Sequence, residues 1–369
     1  MKKSTYMTLF LSTILIGCEN SNTDSKSVTT KEQQTPKKAV AKTPDLPLTQ
    51  GMITWDPFEH NAKSTTLYVK NLTDTFQEVR YTIWRTADGP KQKQTFVSQN
   101  QENYFSLPFH LQNFQLKRGE YKIETTGLKA DGSETNLAKS TITFEQYVPI
   151  LMYHAIAKYE GPEDGDIGLY VSPEQFEKQM QYLKDNGHTL LTFERWNEIN
   201  RVNKPVFVTF DDGRKDNMNA LHILQKLKDD TFQPTATEFI VSNTINTENR
   251  LTIDDIKQMV NSGIFSIQGH TANHTMLEYT SNYDEELRVS KEKIESITGK
   301  NVIALAYPVG SYNEAAIEET KKHYQFAVTT DHGNHIVKGE NNEQYTIKRH
   351  FVGPNTTINK FVALVKEVH

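Results

Sequence analysis

Two patterns of apolar and polar positions follow one another along the chain. Between residues 52 and 144 the apolar side chains come in short alternating runs, separated by Asp88-Gly89, Arg118-Gly119 and Asp131-Gly132. Alternation bounded by turn residues predicts strands, over 66–70, 79–84, 104–109, 121–126 and 140–144. Strands at this spacing are typical of a β-sandwich, which we predict over residues 51–146.

The second pattern begins at residue 147, where strand-length apolar runs alternate with helix-length stretches. The predicted strands are 150–153, 206–210, 236–241, 266–268, 302–307, 326–330 and 345–352. The predicted helices are 173–186, 217–228, 252–261, 283–298 and 314–323. Strand and helix taking turns indicates a parallel sheet, and about seven or eight such units most simply close into a (β/α) barrel. We therefore predict a barrel over residues 147–369.

Polar side chains collect at the ends of the predicted barrel strands, which is where barrel active sites lie. The strand at 206–210 runs directly into two adjacent carboxylates, Asp211 and Asp212. Burying both would raise the pKa of one of them sharply unless a cation neutralised it. Further polar residues at or just past strand ends are His154, Tyr307 and Asp331.

Two histidines four residues apart, His270 and His274, follow the strand at 266–268. This spacing predicts that both rings lie on one side of a helical turn. Together with Asp212 they make a two-histidine, one-carboxylate set that leaves coordination positions open, as a catalytic metal site does. Alone, Asp-Asp-Gly is usually a turn and a histidine pair a surface feature, but their joint occurrence after strands favours a metal site.

The first fifty residues differ in composition from the rest of the chain. A short basic start precedes an apolar segment at 6–16, which is too short for a secure membrane span and is typical of a secretory signal. Residues 19–50 are rich in Ser, Thr, Lys, Gln and Pro, which predicts a disordered tether. Cys18 is the single cysteine, so no internal disulfide can form.

Three short sequences resemble motifs of a known enzyme family. TFDDG at 209–213, HTANH at 270–274 and AYPVGSYN at 306–313 are similar to the first three motifs of the NodB-homology polysaccharide deacetylases, carbohydrate esterase family four. LMYH at 151–154 is similar to the subgroup of poly-N-acetylglucosamine deacetylases and many Gram-positive lipoprotein deacetylases. The resemblance implies a distorted (β/α) barrel and metal-dependent removal of acetyl groups from N-acetylhexosamines.

Two further resemblances concern the region before the barrel. LIGC at 15–18 resembles the lipobox of bacterial lipoproteins, which implies cleavage before Cys18 and diacylglyceryl attachment to its sulfur. A plain signal peptide over residues 1–18 with an incidental cysteine is the alternative. The stretches around Trp84 and at 119–123 resemble immunoglobulin-like repeats of Gram-positive surface proteins. A lipidated Cys18 would anchor the protein to the outer face of the bacterial cell membrane.

Carried over to this chain, the family resemblance assigns chemical roles. Asp211 would be the general base, and the aspartate and two histidines named above would be the metal ligands. The backbone around Tyr307 and Pro308 would help to form the oxyanion hole. Ala306 departs from the family pattern, because many members have an arginine there that orients the catalytic base.

The general acid is the second departure from the family pattern. Many members have a late Leu-x-His that supplies this acid, and the nearest equivalent is Lys348-Arg349-His350 on the last predicted strand. His350 is the candidate acid, although neighbouring strand positions face opposite sides and Arg349 could be the inward one. His154 is a rival for a pocket role, and Asp331 could orient either histidine.

These inferences predict hydrolysis of the N-acetyl group of N-acetylglucosamine residues in a cell-wall or extracellular polysaccharide, either peptidoglycan or poly-N-acetylglucosamine. Zn²⁺ is the expected metal, and the ligand set also admits Co²⁺, Ni²⁺ or Fe²⁺. Alternatives are a catalytically weak surface lipoprotein that binds wall glycan, and an O-acetyl esterase with the same metal site. The net charge of -5 argues against nucleic acid as a partner, and we expect a monomer.

Overall fold

The computed structural model of the chain describes residues 51–99, 104–162 and 165–366. The predicted signal peptide, the lipobox with Cys18 and the tether at 19–50 therefore lie outside the described residues. Within the described ranges, no helix is long and apolar enough to cross a membrane.

Seven antiparallel strands in two sheets occupy the region before the barrel. One sheet has the order β1-β2-β5, and its strands are Met52–Trp55, Ser64–Lys70 and Phe105–His110. The other has the order β4-β3-β6-β7, and its strands are, in chain order, Glu78–Arg85 (β3), Gln94–Gln99 (β4), Gly119–Leu128 (β6) and Glu134–Phe144 (β7). Side chains of both sheets share one hydrophobic core. The strands follow the sequence pattern, while an immunoglobulin-like classification stays a prediction.

Three details of this region differ from the sequence prediction. Strands β1, with sequence MITW, and β4, with sequence QTFVSQ, were not predicted, because each has only one buried residue and so shows no clear alternation. Arg118-Gly119 was predicted as a turn, but Gly119, with φ 128°, is the first residue of β6. The Arg118 side chain is instead buried and donates to the backbone oxygens of Ala62 and Glu145.

Seven parallel strands close into a barrel, which confirms the predicted fold of the second region. They are β8, Ile150–Tyr153; β12, Pro205–Phe210; β13, Ala236–Ile240; β14, Phe265–Gly269; β15, Ala304–Ala306; β16, Phe326–His332; and β17, Ile347–Phe351. The barrel closes because β8 pairs with both β17 and β12. The short strands Ala155–Ile156 (β9) and Tyr170–Val171 (β10) pair with each other, and Thr189–Leu191 (β11) pairs with the start of β12.

Six α-helices accompany the barrel strands: α1, Pro173–Asp185; α2, Met218–Leu227; α3, Ile253–Asn261; α4, Ser290–Thr298; α5, Glu314–Lys321; and α6, Ile358–Val365. A π-helical turn, Asp284–Val289, leads into α4. Helix α1 begins where Ser172 accepts a hydrogen bond from the Gln175 N–H and Pro173 occupies the first turn, both of which favour a helix start.

Strict alternation along the barrel strands decides which side chains reach the interior. On β12, Phe207 packs inside the barrel, whereas Val206 and Val208 pack outward in the core shared with the helices. Because side chains alternate with a period of two, Asp211 continues the inward row of Phe207. On β17 the inward residue Ile347 sets the same parity for Arg349. This alternation brings residues from distant strands together at one end of the barrel.

The two-sheet region packs directly on the barrel, and the described residues of both belong to one compact unit. Arg85 is fully buried there and donates to the backbone oxygen of Arg118 at 2.8 Å and to Asn203 Oδ1 at 3.1 Å. Gln146 Nε2 donates to the backbone oxygens of Ile199 at 2.6 Å and Val202 at 3.0 Å. The predicted domain boundary after residue 146 therefore falls in a densely hydrogen-bonded contact, and the boundary itself stays a prediction.

Candidate metal centre and active site

Three side chains at the C-terminal ends of the barrel strands bring their ligand atoms together. Asp212 Oδ1 lies 3.6 Å from His270 Nε2 and 3.5 Å from His274 Nε2. His270 Nδ1 is 2.8 Å from the backbone oxygen of Ala306; because that oxygen can only accept, Nδ1 carries the proton. Nε2 of His270 therefore presents its lone pair towards Asp212, the arrangement that metal-binding histidines show.

The donor set fits a divalent transition metal. The ligand atoms of Asp212, His270 and His274 all lie within 4.8 Å of one another. Two imidazoles and one carboxylate suit zinc and also cobalt, nickel or iron, and three protein ligands leave room for water or substrate. Among the described residues, this is the one such group of three or more candidate ligands.

The segment from His270 to His274 is a tight turn, and the predicted helical turn is wrong. Thr271 and His274 adopt left-handed backbone conformations, with φ values of 63° and 59°. The carbonyl of Thr271 accepts from the N–H of Ser242 at 3.1 Å. The two rings converge because this turn reverses the chain between them, and a helical spacing is not the cause.

Asp211 faces a different partner from its neighbour. Its two carboxylate oxygens each lie 2.7 Å from a terminal nitrogen of Arg349, which is fully buried. Asp212 has φ 78°, and Gly213 has φ 66°; aspartate and glycine tolerate this left-handed conformation. The turn separates the adjacent carboxylates, so that Asp211 meets the guanidinium and Asp212 meets the histidines.

The surroundings of Asp211 keep it ionised. Burial alone would raise its pKa, but the charge of Arg349 and its hydrogen bonds outweigh burial and hold the pKa well below the ordinary value for an aspartate. Arg349 also donates from Nε to the Thr329 backbone oxygen at 2.9 Å and from a terminal nitrogen to Thr209 Oγ1 at 3.1 Å. The guanidinium is thus fixed on several sides, and it holds Asp211 in the ionised form.

A pocket of about 360 Å³ opens over these groups and is lined by Asp211, Asp212, His270, His274, His154, Asp166, Leu169, Val241, Thr244, Arg250, Val309 and Thr330. His154 is partly buried, and its Nδ1 has no hydrogen-bond partner among the described residues. Burial lowers the pKa of His154, and the charges of Asp211 and Asp212 oppose that shift. His154 thus lines the pocket with Nδ1 enclosed and without a hydrogen-bond partner among the described residues.

His350 was the candidate general acid in the sequence, but its ring lies outside the pocket. His350 Nδ1 is 3.2 Å from His332 Nε2, and His350 Nε2 is 2.7 Å from Asn334 Oδ1. Both ring nitrogens are engaged outside the set of pocket-lining residues. The cause is the strand parity on β17, which turns Arg349 inward and His350 outward.

Asp331 does not orient a histidine, contrary to the prediction from the sequence. It is exposed at the end of β16, and the Tyr312 hydroxyl donates to its Oδ2 at 3.5 Å. Among the described residues, neither His154 nor His350 forms a hydrogen bond with it.

The turn after β15 presents Val309 to the pocket rather than the two residues predicted for the oxyanion hole. The N–H of Tyr307 donates to the Val328 backbone oxygen at 3.1 Å within the sheet, and its side chain is fully buried. Pro308 has no N–H to offer. Val309 lines the pocket with φ 52°, a conformation that is strained for a β-branched residue and is often found at functional sites.

A buried carboxyl group lies beneath the pocket on β13. Glu238 is fully buried, and Asn217 Nδ2 donates to both of its oxygens, at 3.0 and 3.2 Å. Burial raises the pKa of Glu238 well above its ordinary value, the Asn217 bond opposes this, and the charges of Asp211 and Asp212 add to it. Burial thus favours the protonated form of Glu238 in the folded protein.

Glu238→Gln is expected to raise stability relative to the native protein as the pH increases. When a carboxyl group has a higher pKa in the folded than in the unfolded protein, it contributes fully to the free energy of unfolding below the unfolded-state pKa. That contribution is lost as the pH rises towards the folded-state pKa. The native protein should lose about 1.4 kcal/mol per pH unit relative to the glutamine variant in this window. Thermal unfolding of chelator-treated protein at pH 5 and pH 8 measures the effect. A difference in Tm that is equal at both pH values would contradict it.

The chain is similar to a protein-family model, to two named bacterial proteins and to a crystal structure. A family model for polysaccharide deacetylases matches residues 198–326. YxkH of Bacillus subtilis (strain 168), whose name assigns it to the polysaccharide deacetylases, is 30% identical over 230 residues, which are 60% of this chain and 77% of that protein. The poly-β-1,6-N-acetyl-D-glucosamine N-deacetylase of Staphylococcus epidermidis is 27% identical over 195 residues, 45% of this chain and 66% of that protein. The crystal structure of BA0330 from Bacillus anthracis, also named for the polysaccharide deacetylases, is 54% identical, covers 86% of this chain and 100% of its own, and has a TM-score of 0.84.

Proposed function

Because the chain belongs to the polysaccharide deacetylase family, we propose that it hydrolyses the N-acetyl groups of N-acetylglucosamine residues in a cell-wall or extracellular polysaccharide. One observation carries the proposal: a charged Asp211 held by Arg349 lies beside a complete set of metal ligands in one pocket. A proton acceptor next to a Lewis-acid site is what amide hydrolysis by water requires.

Each group of pocket residues has a separate role in the proposed reaction. A divalent metal held by Asp212, His270 and His274 would supply polarisation of the acetyl carbonyl and acidification of water. Asp211 accepts a proton from the water that attacks the carbonyl carbon. Val309 lines the pocket, and its backbone N–H is the proposed donor to the oxyanion, where one such donor contributes about 3 kcal/mol. The carbon–nitrogen bond then breaks, and acetate and a free amine are released.

His154 is the general acid in this scheme and replaces His350, which the sequence favoured. The leaving amine needs a proton, and His154 is the pocket-lining histidine outside the metal-ligand set. Its Nδ1 is enclosed and has no partner among the described residues, so Nε2 is the ring nitrogen that would deliver a proton to the substrate nitrogen. Burial lowers its pKa and so makes the protonated ring a stronger acid.

His154→Ala is expected to reduce kcat on N-acetylglucosamine oligomers by about 10²–10⁴-fold. The loss should be much smaller on 4-nitrophenyl acetate, because that leaving group departs without protonation. His350→Ala is the matched control and should keep nearly the native rate on both substrates. Equal losses in the two variants, or an equal loss on amide and ester, would refute the role of His154.

Two alternatives have specific support in the chain. A weak wall-glycan-binding protein is favoured by the absence of the third-motif arginine at Ala306, but Arg349 supplies a guanidinium to Asp211 from another strand. An O-acetyl esterase would use the same metal site, because ester and amide cleavage pass through similar tetrahedral intermediates. The presence of the partly buried His154 in the pocket favours the amide, because an amide needs its leaving group protonated.

The remaining parts of the proposal concern metal, polymer and location. We propose Zn²⁺ as the metal, with Co²⁺, Ni²⁺ or Fe²⁺ as alternatives that the same ligands accept. Peptidoglycan and poly-N-acetylglucosamine are both candidate polymers; the name of the Staphylococcus epidermidis relative supports the second. The lipobox resemblance at 15–18 supports anchoring through Cys18 to the outer face of the cell membrane, and we propose that the protein is a monomer.

Acetate release from a panel of polymers tests this function. The full chain is incubated with N-acetylglucosamine oligomers, poly-N-acetylglucosamine, purified peptidoglycan and acetylxylan, and acetate and new amino groups are counted together. Equal amounts of acetate and amine from one of the first three support the N-deacetylase and identify the polymer. Acetate from acetylxylan alone would establish the esterase instead, and no release from any of them would favour the binding protein.

A further inference from the structure

One buried carboxylate outside the pocket is directed at the turn that carries the metal ligands. Glu286 lies in the π-helical turn Asp284–Val289 and is 4% exposed. Its Oε2 accepts from the backbone N–H groups of Ala272 and Asn273, each at 3.0 Å. Its Oε1 accepts from Asn273 Nδ2 at 2.8 Å and from Thr275 Oγ1 at 2.9 Å. Four hydrogen bonds from one turn thus end on one side chain.

The turn is held by hydrogen bonds on two sides. Its carbonyls face the residues after β13, where Ser242 N–H donates to Thr271 O at 3.1 Å and Asn243 N–H donates to Ala272 O at 2.9 Å. Its N–H groups face Glu286. An ionised carboxylate only accepts hydrogen bonds, so Glu286 matches a set of donors that converge on it.

The turn needs this support because its backbone is strained. Thr271 and His274 both have positive φ values, a sparsely populated and strained conformation for residues other than glycine. His270 has an anchor of its own in the Ala306 carbonyl, at 2.8 Å from Nδ1. His274 is 41% exposed and has no comparable hydrogen bond to a residue other than Asp212 in the described chain. The position of His274 therefore depends on the conformation of the turn.

The π-helical turn directs the Glu286 carboxylate into the protein. In this turn Glu286 and Leu287 point into the protein, whereas Asp284 and Arg288 pair with each other at the surface at 2.6 Å. π-Helical turns are rare and occur frequently at functional sites.

We propose that Glu286 is a positioning residue that sets the metal affinity of the site by holding the turn in the conformation that places His274 beside Asp212. The inference rests on the metal site of the proposed function. It predicts that Glu286 acts on metal retention and has no part in the chemical step.

The test is the metal dissociation constant of Glu286→Gln, measured by competition with a chromophoric chelator for Zn²⁺ and Co²⁺. The glutamine has nearly the same shape, but its NH₂ group faces donors of the turn. Affinity should fall by about 10–100-fold, as on loss of other residues that orient metal ligands. Acetate release by the variant should approach the native kcat once excess metal saturates the site.

Glu285→Gln is the matched control, since it makes the same change in the same turn at a residue with no hydrogen bond to the metal-ligand turn. It should keep the native affinity. Thr275→Val, which removes one of the four donors, should weaken binding by a smaller factor and carries the test if Glu286→Gln does not fold.

An unchanged dissociation constant in both Glu286→Gln and Thr275→Val would overturn the proposal, even if the proteins were less stable. Such a result would leave the proposed deacetylation intact. Conversely, a native protein that binds metal but releases no acetate from any polymer would overturn the proposed function, and the affinity comparison would still decide the role of Glu286.

Discussion

Asp211→Asn is expected to reduce acetate release by about 10²–10⁴-fold, the range that a general base contributes. The amide has nearly the same shape and can still accept a hydrogen bond from Arg349, but it cannot take a proton from the attacking water. The native carboxylate lies 2.7 Å from each of two guanidinium nitrogens and is 3% exposed. The rate is measured as acetate released from N-acetylglucosamine oligomers at saturating metal.

Metal binding separates this loss from a damaged site. Asp211 is not among the three ligand residues, so Asp211→Asn should bind Zn²⁺ with about the native affinity while its kcat falls. A variant that keeps more than about a tenth of the native rate would contradict the assignment of Asp211 as the base, since even the smallest general-base contribution is about 10²-fold.

Arg349→Met is expected to lower the free energy of unfolding by about 3–5 kcal/mol, the usual cost of removing one partner of a buried ion pair. Arg349 is fully buried and holds Asp211, Thr209 and the Thr329 carbonyl. Methionine fills a similar volume, so the expected loss comes from the unpaired carboxylate rather than from a cavity. Urea denaturation followed by circular dichroism measures it.

Two companion variants test the cause of that loss. Arg80 makes ion pairs with Glu78 and Glu134 but is 38% exposed, so Arg80→Met should cost only about 0–1 kcal/mol. Arg349→Met combined with Asp211→Asn should be more stable than Arg349→Met alone, because both charged partners are then gone. Additive losses in the double variant would show that the two side chains do not depend on each other.

The sequence predicted the location of those site residues that directly follow a barrel strand. Asp211 and Asp212 immediately follow an apolar run, and His270 follows another, so their place at the barrel mouth follows from strand ends alone. The two motifs had to meet because parallel strands of a barrel present their carboxyl ends at the same face. The structure brings the aspartate and both histidines together as expected.

The choice between Arg349 and His350 could not be made from sequence. A shift of one residue in a strand exchanges its inward and outward faces, and the segment Lys348-Arg349-His350 offers a polar residue for either face. The barrel closes by pairing His350 with Leu151 and Phe351 with Met152, and this register fixes the parity. The guanidinium that contacts Asp211 therefore comes from β17. In the family pattern it would come from the position at the end of β15 that Ala306 occupies here.

The strained backbone of Val309 and the contact of Glu286 with the metal-ligand turn also could not be predicted from the sequence. Val309 reaches the pocket because a non-glycine residue adopts φ 52°, a conformation that sequence preference disfavours. Glu286 lies in a stretch with adjacent charged residues that looks like an ordinary exposed helix start. Its burial depends on the π-helical turn, which has no sequence signal of its own.

Metal-dependent acetate release is the most direct test of the central claim. The full chain is stripped with chelator, dialysed and titrated with Zn²⁺ or Co²⁺ while acetate is measured on N-acetylglucosamine oligomers and on the preferred polymer. We expect no release from stripped protein and recovery that levels off near one metal per chain. His274→Ala should not recover at that ratio. The metal-dependent mechanism would be contradicted if release persisted without metal, or if added metal failed to restore release by correctly folded protein.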